Sequence, residues 1–235
     1  MNLSDVLVWI GSSRPFFMLK SPTNGGGAIY QGPDTYPMVA LTFDDGPDPR
    51  WTPPILAALS AAQAKATFFC SGEAVDRNPD LVLMIASAGH EIGTHLWGHC
   101  SNTVNDLQVF FRDLDRSLER IVEITGQPVH FLRFPYGHAG KVSRFDLADR
   151  GLRAVHWTVR GRDTTEPDPT RIVSRIMSAA RPGAIVLLHD AIADEQTLKP
   201  GYLVTREQTV RALPPLLEGL TNRGLRPVTL GELLA

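Results

Sequence analysis

The side chains of this protein that can do chemistry fall into short, ordered clusters: Asp44-Asp45, His95 with His99, Arg133, Asp163 and His189. Most sit at or just past a short apolar run. Met38 to Phe43 precedes the aspartates, Glu91 to Thr94 the first histidine and Ala184 to Leu188 the last, while Phe131 to Phe134 surrounds the arginine. Two carboxylates and a His-x3-His pair can hold one divalent cation and still leave a base free. Imidazoles combined with carboxylate rather than thiolates point to a catalytic metal site with open positions, not a structural one. The chemistry that follows is metal-assisted hydrolysis. The cation polarises an electrophile and acidifies water, a carboxylate takes the water's proton, and a second group protonates what leaves. Asp44 and His189 can be that pair.

Each residue also has a plainer reading. Asp45-Gly46-Pro47 is an ordinary turn sequence, in which Asp bonds its own backbone. Adjacent carboxylates repel, however, and persist in a pocket only where a cation or hydrogen bonds stabilise them. The two histidines therefore favour a cation. His95 and His99, four apart, are expected on one side of a single helical turn. Arg133 lies among Phe131, Leu132 and Phe134, where its fork can bind a carboxylate and keep it ionised. His189 suits a general acid, with Asp163 placed to orient it. His90, His130 and His156 read as structural, and His138 as a pocket rim at most. Cys70 and Cys100 set no disulfide framework and are expected as buried free thiols.

The elements that must position these groups alternate. Strands are expected over Met38–Phe43, Ala66–Cys70, Glu91–Thr94, Phe131–Phe134, Ala154–Val159, Ala184–Leu188 and Pro227–Leu230. Helical patterns fill Thr52–Ala62, 79–88, Val104–Thr125, 142–150, 170–180 and Thr205–Asn222. This alternation predicts a parallel sheet with helical crossovers. Because each motif falls at the C-terminal end of a strand, a closed α/β barrel with its site on that face is the expected architecture. No Gly-x-Gly-x-x-Gly or Gly-x4-Gly-Lys-Ser/Thr is present to cradle a phosphate.

At 235 residues the chain is long enough for one sizeable domain. A net charge of −2 with scattered basic residues argues against nucleic acid as a partner. No stretch reaches the ~20 apolar residues needed to span a bilayer. Residues 1–19 carry no basic n-region or small-residue cleavage site. A cytoplasmic location follows if Met1 is the natural start, and a periplasmic or cell-envelope one otherwise. Residues 20–36 are rich in turn formers and read as a loop.

Taken together, Thr-Phe-Asp-Asp-Gly-Pro (42–47), Gly-His-Glu-Ile-Gly (89–93), His-x3-His (95, 99), Arg-x-Pro-Tyr-Gly (133–137), Trp-x5-Asp (157–163) and Leu-x-His (187–189) resemble, in type and order, the polysaccharide deacetylases of carbohydrate esterase family 4. This is the NodB-homology group, and the resemblance spans about residues 37 to 230. It implies a distorted (β/α)7–8 barrel of the NodB-homology type, with a segment and loop over 1–36 ahead of a catalytic domain over 37–235. It also implies removal of N-acetyl groups from N-acetylglucosamine-containing glycans such as chitooligosaccharide or peptidoglycan.

In residue terms the resemblance implies Asp45, His95 and His99 as ligands of a divalent metal, usually zinc, with Co2+, Ni2+ or Mn2+ as alternatives. Asp44 would be the base for the attacking water, with Arg133 holding it ionised. The backbone N–H of Tyr136 would join the metal in stabilising the oxyanion. His189, tuned by Asp163, would protonate the amine, while Leu187, Pro135 and Trp157 shape the substrate pocket. Two positions depart from the family pattern. Leu96 stands where a Ser or Thr hydroxyl usually steadies the loop, and Thr94 is the nearest substitute. Thr164 stands where Trp usually lines the groove. Arg160 and Arg162 read either as solvated charges or as contacts to an acidic group on the substrate. Two rival functions remain: the same fold acting on a formamide or cyclic imide, and a non-catalytic carbohydrate-binding module. The intact Asp44, Asp45, His95, His99, Arg133 and His189 weigh against the module.

Overall fold

A computed structural model describes residues 27–99, 106–193, 198 and 200–235; Cys100 lies outside them. The chain runs β1 (Met38–Asp44), α1 (Thr52–Ala61), β2 (Thr67–Cys70), α2 (Gly72–Arg77), α3 (Pro79–Ser87), β3 (Glu91–Thr94), α4 (Leu107–Thr125) and β4 (Phe131–Leu132). After a 3-10 turn at Pro135–Gly137 come α5 (Arg144–Ala148), β5 (Arg153–Ala154), β6 (Val159–Arg160), α6 (Pro169–Ala179), β7 (Ile185–His189), α7 (Glu207–Asn222), β8 (Arg226–Val228) and α8 (Leu230–Leu233). The helix ends carry local reasons. Prolines open α1, α3 and α6, where the missing N–H has no partner to lose. Asp106 caps α4 by accepting from the Gln108 and Val109 N–H groups, and Gly126, left-handed at φ 67°, ends it.

The strands pair in parallel in the order β5-β4-β3-β2-β1-β7-β6, with β8 beside the first half of β1. β1 is central and buried along nearly its whole length, as a sheet covered on both faces requires. Strand alternation sorts its residues. Val39, Leu41 and Phe43 face the helices and join the main core with Phe68 and Val186. Ala40 belongs to a second core inside the barrel with Phe69, Phe131 and Ile185. Thr42 and Asp44 share Ala40's face, so the interior is polar only where the strand ends.

Several sequence expectations change in detail. The strand expected over Ala154–Val159 is divided: β5 pairs with β4 and β6 with β7, so the ladder stays open between them. Residues just before the expected catalytic domain fill that gap. Ile29 bridges to Val155, His156 N–H donates to Ile29 O at 2.7 Å, and Gly32 N–H donates to Gly183 O at 2.8 Å. The architecture is thus the distorted barrel expected, sealed by residues 29–32 rather than by a continuous ladder. His95 to His99 do not form a helical turn but an irregular loop after β3. The last strand stops at Val228, because Thr229 caps α8 by accepting from Glu232 N–H. α2 had no periodic signal at six residues. Cys70 is a buried free thiol. No helix among the described residues is long and apolar enough to cross a membrane.

Candidate active site

The C-terminal ends of β1, β3, β4, β6 and β7 open onto one pocket of about 290 Å³. Asp44, Asp45, His95, His99, Tyr136, Trp157, Leu187 and His189 all line it. Pro135 does not: it is buried as the first residue of the 3-10 turn, and Phe134 and Gly137 line the wall in its place.

On the first wall, β1 ends with two carboxylates that differ in their surroundings. Arg133 is fully buried, and its Nη1 donates to Asp44 Oδ1 at 2.7 Å and to Thr42 Oγ1 at 2.6 Å. Its other nitrogens donate to Val155 O and His156 O, and its plane lies 4.1 Å from the Phe69 ring centre. Every edge of the fork is therefore engaged, which fixes Asp44 Oδ1 and leaves Oδ2 to the pocket. Burial weakens the Arg133 guanidinium's hold on its proton, although Asp44 opposes that.

Asp45 follows in a left-handed conformation (φ 80°), which ends the alternation of β1, and both carboxylates face the pocket: His95 Nε2 lies 4.0 Å from Asp44 Oδ2 and 3.5 Å from Asp45 Oδ1. Its Oδ1 is buried and, among the described residues, meets no hydrogen-bond donor. It lies 3.5 Å from both His95 Nε2 and His99 Nε2. His95 Nδ1 lies 2.7 Å from Arg133 O, an acceptor, so Nδ1 carries the proton and Nε2 offers its lone pair. Burial pulls His99 below the ordinary histidine value despite Asp45, which favours the neutral ring with its lone pair. For Asp45, burial pushes upward, but His99, His189, His95 and Arg206 together hold it below the usual carboxylate value.

These three groups fit a metal. Their ligand atoms all lie within 4.8 Å of one another. Two bonds of about 2.1 Å at a tetrahedral angle place donor atoms about 3.4 Å apart, close to the 3.5 Å found here. A buried carboxylate oxygen without a donor is costly, and a cation is the natural way to satisfy it.

On the second wall, β7 ends in His189. Its Nδ1 lies 3.0 Å from Asp163 Oδ1, and its backbone N–H donates to Asp163 Oδ2 at 2.8 Å. Thr209 Oγ1, on α7, donates to the same Oδ2 at 2.8 Å. Burial disfavours charge on His189, but Asp163, with Asp45 and Asp44 behind it, raises the ring above the ordinary value. Burial likewise pushes Asp163 upward, yet His189, Arg206 and Thr209 keep it below normal.

Strain concentrates here. Among the described residues, five that are not glycine have positive φ: Asp45, Gln63, Leu96, Tyr136 and Arg162. Only Gln63 lies away from the pocket, at the end of α1. Such conformations cost about 1–3 kcal/mol each and persist where the surroundings over-determine them. Leu96, between the two histidines, is held by its N–H donating to Thr94 Oγ1 at 3.1 Å, and Thr94 Oγ1 also bonds Ser117 Oγ at 2.9 Å. The Thr94 hydroxyl thus anchors the backbone of this loop. Tyr136 sets its ring edge-on to His99, 4.4 Å between centres.

Besides Arg206, three contributors have no role assigned from the sequence motifs. Asp190 accepts from Thr52 Oγ1 at 2.6 Å beneath the Asp45 turn, where a Cβ on Gly46 would overlap its carboxylate. Burial there, opposed by Thr52 and reinforced by Asp45, pushes Asp190 up to about 7. Thr209 is the second; nothing near it in sequence marks it as a partner of Asp163. Tyr202 is the third, an aromatic lining residue brought in where Leu203 N–H donates to Thr164 O at 2.8 Å.

Comparison with known proteins places the chain in a family. The family model described as polysaccharide deacetylase matches residues 31–155. The chain therefore belongs to the polysaccharide deacetylase family. Among curated relatives, a chitooligosaccharide deacetylase of Rhizobium leguminosarum bv. trifolii is 37% identical over 79% of this chain and 86% of its own. A peptidoglycan-N-acetylglucosamine deacetylase of Bacillus cereus is 36% identical over 89% and 93%. Among solved structures, a CE4 family pseudoenzyme from Bacillus anthracis superposes with a TM-score of 0.79 at 27% identity, covering 90% of this chain and 70% of that one. Because a pseudoenzyme shares the fold, the side chains at the strand ends, not the barrel, must carry any inference of activity.

Proposed function

We propose that this chain is a metal-dependent hydrolase that removes N-acetyl groups from glycans containing N-acetylglucosamine. The observation that carries the reading is the buried Asp45 Oδ1, without a hydrogen-bond donor and equidistant from two imidazole nitrogens, beside a second carboxylate held by arginine. Two imidazoles and one carboxylate suit Zn2+ best, with Co2+, Ni2+ and Mn2+ as weaker candidates. When bound, the cation would supply Lewis acidity to the acetyl carbonyl and to water.

The chain's own residues supply the rest. Asp44 Oδ2 takes a proton from the attacking water, while Arg133 pins Oδ1 so that the free oxygen cannot rotate away. The Tyr136 backbone N–H is assigned to the developing oxyanion, on the same wall as His99. His189 faces it from the other side and donates a proton to the amine as the C–N bond breaks, giving acetate and a free amino sugar. Asp163 holds that imidazole in orientation and favours its charged form. Leu187 and Trp157 frame the place of the acetyl methyl group and the sugar face. The names of the relatives support N-acetylglucosamine as the sugar.

The test is acetate release from N-acetyl-chitooligosaccharides by purified protein, after chelation and after zinc is restored. Acetate that disappears with the metal and returns with it is expected. Zinc bound with no acetate released would overturn the substrate assignment, and formate released from a formamide would redirect it.

A further inference from the structure

Beyond the reaction itself, and resting on the reading just given, we infer that Arg160 and Arg162 select a glycan bearing a carboxylate close to the N-acetylated sugar. Both arginines line the same pocket as Asp44 and His189. Arg160 ends β6 and Arg162 follows two residues on, in the loop that leads to Asp163. Both side chains are exposed.

Two features separate this pair from ordinary surface charge. First, no carboxylate among the described residues is available to it. Asp163 is taken by His189 and Thr209, and Glu166 lies 3.7 Å from Arg175 and accepts from Asp168 N–H. Neither Arg160 nor Arg162 forms an ion pair with any described residue. Secondly, the backbone that presents them is locked. Arg162 is held at φ 61° while its carbonyl accepts from Thr165 N–H at 3.0 Å, Glu166 N–H at 2.9 Å and Thr165 Oγ1 at 3.3 Å. Arg160 is placed over Trp157, with 5.1 Å from its guanidinium carbon to the ring centre.

Two like charges held at one pocket wall repel each other, and a neutral chitin fragment offers nothing to offset that. A carboxylate does, because it accepts two parallel hydrogen bonds from a guanidinium fork. The position also matters. The loop that ends at the Asp163 partner of His189 presents both forks, so an anion bound there sits beside the amine-leaving side of the reaction. Thr164 and Thr165, which follow Asp163, line the same pocket and set no further charge beside the two forks.

The carboxylate can come from a lactyl ether, as in N-acetylmuramic acid, or from a uronic acid ring carbon. Three glycans of equal length separate these: neutral chitooligosaccharide, an N-acetylglucosamine–N-acetylmuramic acid oligomer and an N-acetylglucosamine–glucuronic acid oligomer. For the wild-type protein with zinc, kcat/KM on one of the two acidic oligomers should exceed that on the neutral one by about 10- to 100-fold, the range of charge-assisted hydrogen bonds. The preferred oligomer identifies the carboxylate's source. In the R160Q/R162Q double variant that ratio should collapse towards unity, and R160K/R162K should restore only part of it, since an ammonium lacks the fork. Added salt should also lower the ratio, because both groups are exposed. Equal kcat/KM on all three glycans, or a preference that survives R160Q/R162Q, would overturn the inference. If no glycan yields acetate, the proposed function fails on its own account. The inference is then decided by the ratio of dissociation constants for the same three oligomers on the zinc-loaded protein, and equal affinities would refute it.

Discussion

The two walls of the pocket are built from the same residue types, an aspartate beside a histidine, and they are wired in opposite ways. On the β7 side, Asp163 receives the His189 ring, the His189 backbone N–H and the Thr209 hydroxyl, so its lone pairs are spoken for. On the β1 side, Asp45 Oδ1 is just as buried and receives no hydrogen bond among the described residues, although two imidazole nitrogens stand 3.5 Å away. A saturated carboxylate can only orient and charge its histidine, whereas an unsatisfied one with lone pairs facing it is arranged for a cation. Hydrogen-bond satisfaction together with facing imidazole lone pairs, not residue identity, therefore separates a proton-handling pair from a metal-binding one; Asp190 Oδ1 also lacks a donor but belongs to no such cluster among the described residues.

Substitutions can break this contrast, and their effects should descend in order. The largest is expected from His99→Ala, which removes one of three ligands: zinc should be lost and turnover should fall to background, read by metal analysis with acetate release. Asp44→Asn comes next. It should keep the zinc and lower kcat by about 10²- to 10⁴-fold, the usual worth of a positioned base. Metal loss equal to that of His99→Ala would show that Asp44 is a ligand instead. His189→Ala should cost a similar factor with zinc retained.

Asp163→Asn sharpens the contrast through pH. Asp163 raises the His189 pKa, so removing its charge lowers it. A general acid works only while protonated, so the alkaline limb of the kcat profile should move to lower pH. An unmoved limb would count against His189 as the acid. The smallest effect belongs to Thr209→Val, which deletes one buried hydrogen bond to Asp163. It should cost about 1 kcal/mol of stability in a denaturant titration and only a few-fold in kcat, with zinc content unchanged.

Much of this arrangement was legible from the chain because strand ends and motifs coincide. Glu91–Thr94 is a strand as expected, and the period-two alternation of β1 explains why Asp44 faces inward while Phe43 joins the helix-facing core. What sequence spacing misassigned was local. His95 and His99 converge from a loop, not a helical turn, because Leu96 adopts φ 65°. A positive φ at leucine leaves no mark in composition. Pro135 belongs to the motif but is consumed by the turn that displays Tyr136. The roles of Thr209 and Asp190 are not legible in the sequence for a different reason. Thr209 acts through a contact across 46 residues, and Asp190 lies under a turn whose close approach only the fold creates.

The most direct test of the contrast is to purify Asp45→Asn and Asp163→Asn side by side and measure zinc content and acetate release on each. The account predicts that Asp45→Asn emerges without zinc and without activity. Asp163→Asn should hold one zinc per chain while turning over slowly. Zinc retained by the first, or lost by the second, would contradict the division of the pocket into a metal wall and a proton wall.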